Sequence, residues 1–239
     1  MTKNRALPRL MPGLIPGLIP GLIMAAALMC SGLSMAAEEN DPVKVALEAA
    51  SDAAAAARVA DLQRDPNSPV LGNPQGDVVL VKFFDYQCPY CKAVEPKLDK
   101  LLADDKGVKI VVKEFPILGP VSVIASKAAL ASVRQGKYAA YHHAMMAYRG
   151  KLTDEVIFTT AKDVGLDVDK LRKDMISPEV ADQLLANFNL ARALKITLTP
   201  GYFVGTHELA GVSVKTSSAA IDFPAEVAAA RAANKTVKK

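Results

Sequence analysis

One stretch limits the fold more than any other. Val78 to Phe84 reads VVLVKFF, a nearly continuous apolar run, and four residues later come Cys88-Pro89-Tyr90-Cys91. A run without polar alternation predicts a strand buried on both faces, the situation of a central strand in an α/β sheet. Pro89 suits the first position of a helix, where a backbone donor is unneeded. The helix should then reach about Asp105. Gly107 to Phe115 gives a second strand, stopped by Pro116.

This placement has a chemical consequence. Cys88 falls at the helix N-terminus, facing unpaired N–H groups and the positive end of the helix dipole. A thiolate is stabilised there, and its pKa can fall to about 3.5–7.5. Cys91 lies one turn further on and should point inward. The pattern predicts an accessible, acidic thiol backed by a sheltered one, the pair that dithiol–disulfide exchange requires.

Other readings of the pair exist. Half a zinc site would need two more soft ligands. His142 and His143 are adjacent, so on a helix they face different directions. A structural disulfide closing so small a loop would remove little chain entropy. A reduced pair could also hold copper(I) without any turnover.

The redox reading depends on compartment. Leu10 to Ala37 carries no charge, follows the basic Lys3, Arg5 and Arg9, and ends in Ser34-Met35-Ala36. Basic, apolar, then small-x-small is the layout of an export signal. Cleavage after Ala36 is expected, with an uncleaved anchor or a lipoprotein at Cys30 as alternatives. Cys88 and Cys91 would be the cysteines that remain, in an oxidising periplasm. Lys+Arg is 29 against Asp+Glu 25, and without the three N-terminal cations the excess is one. No nucleic-acid footprint is therefore expected.

The rest of the chain reads as follows. Asp41 to Arg64 is alanine-rich and helical, with Asp41 as cap and Pro42 at the first turn. Its apolar stripe is thin, so a solvated helix is expected, although it could carry a homo-oligomer contact. Asp65 to Gly76, with three prolines and two glycines, is a linker. From Val121 to about Lys195 the periodicity is helical, divided by Gly136, Gly150, Gly165 and Ser177-Pro178 into four or five helices. PGYFVG and ELAGV suggest two short strands around a Thr206-His207 turn, which leaves His207 exposed. A last helix begins near Pro224. The fold class is α/β with a helical insertion.

The segments FFDYQCPYCK, KEFPILGP, QGKYAAYHHAMM and TPGYFVG resemble the DsbA family of periplasmic thiol–disulfide oxidoreductases, from roughly Pro69 to the C-terminus. The resemblance implies a thioredoxin-like central sheet with an inserted all-helical domain. It implies a signal peptide over 1–36, an N-terminal helix and linker over 37–68, thioredoxin-like parts over 69–117 and 196–239, and the insertion over 118–195. Cys88 resembles the nucleophile and Cys91 its buried partner. Pro89 and Tyr90 occupy positions that tune redox potential. Thr199-Pro200 matches the cis-proline loop that offers backbone groups to substrates, and Pro96 a helix-kinking proline. The implied function is disulfide donation to reduced or unfolded exported proteins. A membrane redox partner would reset the pair, and no metal or organic cofactor is implied. An isomerase or reductase kept reduced by another pathway is the alternative, favoured if the chain oligomerises.

Two departures from the family stand out. Tyr90 replaces a frequent histidine. Lys82 stands where an acidic residue often lies under the buried cysteine. A buried lysine should pair with an acid, and Glu114 on the neighbouring strand is the expected partner. His142 and His143 are expected to pack within the helical block with Tyr138, Tyr141 and Met145. Of Tyr202 and Phe203, one should line a substrate groove and the other enter the core.

Overall fold

The structure is a computed structural model that describes residues 46, 57–58, 60–205, 207–209 and 220–237, all within one of the chain's two compact units, Ala46–Lys239. The expected export signal lies outside the described residues, as does most of the expected N-terminal helix. Among the described residues no helix is long and apolar enough to cross a membrane.

Strands β1 (Val70–Gly72), β2 (Val78–Phe84), β3 (Val108–Glu114), β4 (Gly201–Val204) and β5 (His207–Leu209) form one sheet in the order β1-β3-β2-β4-β5. Only β2 and β3 run parallel; the other pairings are antiparallel. A parallel pair needs a crossover, and helix α1 (Pro89–Asp104) supplies it.

The apolar run of β2 is explained by burial on both sides. Val78, Leu80 and Phe84 join Val108, Ile110, Val112 and the α1 residues Val94, Leu98 and Leu101 in the larger core. Val81 and Phe83 point the other way, against Val111, Phe115, Leu190 and Phe203. Each such side chain contributes about 1.5–3 kcal/mol by leaving water. One lysine interrupts each face: Lys82 on the α1 side and Lys113 opposite, both 1% exposed.

Five α-helices separate β3 from β4: α2 (Pro120–Ser132), α3 (Tyr138–Ala147), α4 (Asp154–Asp163), α5 (Val168–Asp174) and α6 (Pro178–Ala193). Pro120 and Pro178 open α2 and α6, while Thr153 and Asp167 cap α4 and α5 through their side chains. Gly136 and Gly165 take left-handed backbone, φ 66° and 81°, where two of these connections begin. Helix α7 (Phe223–Val237) follows β5. This is the α/β sheet with a helical insertion that the resemblance implies.

Three expectations are corrected. The segment expected to be a linker contains β1, an edge strand whose flanking prolines hide it; the Val112 N–H donates to the Pro69 carbonyl beside it at 2.9 Å. His207 begins β5 instead of sitting in the turn. The described end of the N-terminal helical segment is docked: Leu62 is buried in the smaller core, and the Gln63 side chain donates to the Gly205 carbonyl.

Candidate active site

Cys88 caps α1. Its backbone is extended (φ −72°, ψ 113°) and Pro89 takes the first turn of the helix. The turn before it is held by Asp85, whose buried carboxylate accepts from Gln87 N (2.7 Å), Leu118 N (2.9 Å) and Ser122 Oγ (2.7 Å). The Cys91 N–H donates to Cys88 Sγ at 3.2 Å. The Thr199-Pro200 bond is cis, and the Thr199 carbonyl accepts from Cys88 Sγ at 3.4 Å. Two segments 111 residues apart thus meet at one sulfur. Cys88 and Cys91 are free thiols.

The sequence predicted an accessible Cys88, but the residue is only 2% exposed and Cys91 1%. The Thr199 carbonyl lies against the sulfur from the far side of the chain, a contact that the local strand–helix pattern does not contain. The two thiols differ in acidity more than in cover. A hydrogen bond from Cys91 holds the Cys88 thiol down to about 6, against burial, helped by Thr199 and by the N–H groups of Cys91 and Tyr90. Burial, then the neighbouring Cys88, pushes the Cys91 thiol well above its ordinary value. Tyr90 contributes its backbone here; its residue is 45% exposed.

Beneath the pair lies a buried charge network. Lys82 Nζ donates to both oxygens of Glu95, at 2.7 and 2.8 Å. Glu95, and not Glu114, is therefore the acid that pairs with Lys82. The register explains why: Lys82 stands opposite Val112 and Tyr202, whereas Glu114 lies two residues along β3, level with Phe84. Glu95 is one helical turn past Cys91 on α1. Burial alone would raise its carboxyl, but Lys82 and His142 hold it at about 2.

His142 continues the network. It is fully buried on α3, with Nε2 2.9 Å from Lys82 Nζ and 3.1 Å from Glu95 Oε1. Its Nδ1 lies 2.9 Å from the Tyr86 hydroxyl. Burial, reinforced by Lys82, pushes the imidazole down to about 4, so it is neutral near pH 7. Tyr86 in turn donates to Glu114 Oε1 at 3.1 Å, where Tyr138 also donates at 2.8 Å, while Ser126 donates to Oε2 at 2.7 Å. Burial pushes Glu114 up to about 8 despite these bonds. Hydrogen bonds therefore run without a gap from an ionised carboxylate to one that is neutral at pH 7.

Sequence reasoning missed Glu95, Tyr86 and the bonding of His142. A signal for Glu95 was present: it falls on the apolar stripe of α1 with Cys91, Val94, Leu98 and Leu101, where an unpaired charge does not belong. His142 and His143 do face apart as expected. His143 Nδ1 sits 3.2 Å from Asp99. Glu95, Asp99 and His143 place ligand atoms within 4.8 Å of one another, but Glu95 is already held by Lys82. Tyr202 and Phe203 are both buried, on opposite faces of the sheet, because β4 is covered on each side; neither lines a groove.

Comparison with known proteins places this architecture. A thioredoxin-like oxidoreductase from Silicibacter pomeroyi DSS-3 is 40% identical, with TM-score 0.66, over 72% of this chain and 96% of that one. A periplasmic thioredoxin-like protein from Salmonella enterica serovar Typhimurium is 27% identical, with TM-score 0.61, over 73% of this chain and 96% of that one. Among curated relatives, a Rickettsia typhi protein named for protein-disulfide oxidoreductase activity is 27% identical over 66% of this chain, which spans 62% of its length. A Na(+)/H(+) antiporter NhaA of Salinispora tropica is also 27% identical over 64% of this chain, which spans only 24% of that protein. Residues 79–221 match the model of the DSBA-like thioredoxin domain, a stretch holding both cysteines, the cis Thr199-Pro200 bond and the whole helical insertion, and the chain belongs to that family.

Proposed function

We propose that the protein is a thiol:disulfide oxidoreductase that donates the Cys88–Cys91 disulfide to reduced or unfolded exported proteins in the periplasm. The observation that carries this is the opposed acidity of the two thiols at the start of α1, beside the Thr199 carbonyl. A substrate thiolate attacks Sγ of Cys88, a mixed disulfide forms, and Cys91 leaves as a thiolate. That thiolate takes up a proton, as its raised pKa requires. A second substrate thiolate then attacks the substrate sulfur and expels Cys88, which leaves as a stable anion. A low leaving-group pKa speeds such steps. The substrate loses two electrons and the enzyme disulfide gains them. Pro89 and Tyr90 set how readily the pair is reduced, and Thr199 and Pro200 align the substrate backbone. Lys82 fixes the charge of Glu95 and so influences protonation of Cys91. A membrane redox partner returns the pair to the disulfide. The export signal expected from the sequence and the periplasmic Salmonella neighbour support the compartment.

The test is oxidation of a reduced dithiol peptide by the oxidised protein. Native protein should turn over, and Cys88→Ser should be inactive. Cys91→Ser, offered the peptide as its mixed disulfide with a small thiol, should accumulate a peptide adduct on Cys88. Turnover by Cys88→Ser would contradict the reading. The same assay across pH on Lys82→Met should show a displaced profile; a superimposable one would remove Lys82 from the reaction.

A further inference from the structure

A cavity of about 350 Å³ opens beside Pro89, the residue that follows Cys88. Gln87 and Pro89, the residues on either side of Cys88, form one wall, together with Lys92. The loop residues Arg149, Gly150 and Lys151 form another. Lys92 is four residues after Cys88, and its N–H donates to the Cys88 carbonyl at 3.1 Å. Cys88 itself is not in the lining, but its two chain neighbours are, which sets the cavity within one residue of it at the start of α1.

The cavity is positively charged. Lys92, Arg149 and Lys151 form no ion pair with a carboxylate among the described residues. Lys92 is the telling one: it is 8% exposed, and its ammonium donates to a single acceptor, the Tyr148 carbonyl, at 2.5 Å, with the Tyr148 ring 5.6 Å away. An ammonium has three donors. Asp85 is the acid that acts on Lys92, but its oxygens already serve Gln87, Leu118 and Ser122. Arg149 holds the Met146 carbonyl at 2.5 Å, which leaves most of its guanidinium donors free. Burial and the nearby Arg149 both lower the pKa of Lys92. A buried cation with spare donors is costly until an anion meets it.

From this placement we infer that the cavity is a specificity subsite that takes a carboxylate side chain of the substrate polypeptide, near its reacting cysteine. The inference rests on the exchange reading above. A substrate sulfur must approach Cys88, and an Asp or Glu a residue or two away along the chain then comes level with Lys92 and Arg149. Charge-assisted bonds there hold the acidic substrate in register, and the positive field raises its rate of encounter.

The test uses two peptides, alike except for Glu or Gln two residues from a single cysteine. The second-order rate of mixed-disulfide formation with the oxidised full chain is measured for each and expressed per thiolate. The Glu peptide should react about tenfold faster at low salt, and the advantage should shrink as salt is added. In the double variant Arg149→Gln, Lys151→Gln, whose replaced side chains are both exposed, the ratio should fall towards one. Equal rates for the two peptides on native protein would overturn the subsite, as would a ratio that survives in the double variant. If neither peptide reacts, the exchange reading itself fails, and the subsite with it.

Discussion

The acidity of Cys88 is a local property with a pH signature. Its thiol pKa falls from 9.0 to about 6 in the reduced fold. A depressed acid stabilises the fold fully above its unfolded pKa and loses that contribution as pH falls through its folded pKa. The reduced protein should therefore gain stability over the oxidised one as pH rises from about 6 to about 9. Urea unfolding of both forms at several pH values checks this; a constant difference would contradict it. Glu114 behaves in the opposite sense. Its carboxyl rises from 4.5 to about 8, so its contribution is present below about 4.5 and lost as pH rises through about 8. Glu114→Gln can still accept from Tyr86 and Tyr138 and face Ser126 with its amide. Relative to native protein it should become steadily more stable between pH 5 and 8, by on the order of 1 kcal/mol per pH unit. A flat difference would mean that Glu114 titrates normally. The two residues were unequally legible. Cys88 announces itself by position, before a proline at a helix start. Glu114 was legible as a buried acid but was given the wrong partner, because its true partners lie 12, 24 and 28 residues away on three other segments.

Among the elements, β2 and α1 were the most legible, since a doubly buried strand and a proline-opened helix each carry their own pattern. Strand β1 was not: three residues between prolines have no period to read, and β3 alone makes them a strand. The end of the N-terminal helical segment is a second case. Its thin apolar stripe suggested a solvated helix, yet it helps to satisfy a lysine that the sheet buries. Lys113 Nζ donates to the Asp61 carbonyl at 2.8 Å and to Asp65 Oδ2 at 2.9 Å, and Gln183 of α6 donates to the same carboxylate oxygen at 2.7 Å. Three segments converge on Asp65. Burial raises its carboxyl, but Lys113, Gln183 and Ser68 bring it down to about 2. Asp65→Ala should destabilise the protein by about 3–5 kcal/mol, because it leaves Lys113 buried without its counter-charge. In native protein the contribution of Asp65 should be present above pH 3.8 and lost as pH falls towards 2. Chemical unfolding of both proteins at pH 7 measures the first effect; a loss under 1 kcal/mol would show that Lys113 does not depend on the pair.

At the scale of the molecule, the helical insertion does more than decorate the sheet. It brings His142 from α3 onto the Lys82–Glu95 pair, and Ser126 and Tyr138 onto Glu114, so that sheet, α1 and insertion share one buried polar network. It also supplies the loop that sets Arg149 and Lys151 across the cavity from Pro89 and Lys92. The fold class was legible because periodicity is local, whereas this network was not, because its members are paired across 12 to 60 positions. The cis loop at Thr199-Pro200 was legible only through family resemblance, since nothing near it in the chain specifies which sulfur it covers. All of these parts bear on one quantity, the preference of the pair for the reduced state. A stable Cys88 thiolate lowers the free energy of the dithiol form and makes the disulfide oxidising. Equilibrating the full chain with glutathione redox buffers and measuring the reduced fraction gives that preference directly. The account predicts a potential well above the about −270 mV of thioredoxin. A value at or below it would mean that the thiolate does not destabilise the disulfide, and that the pair is poised to reduce rather than oxidise.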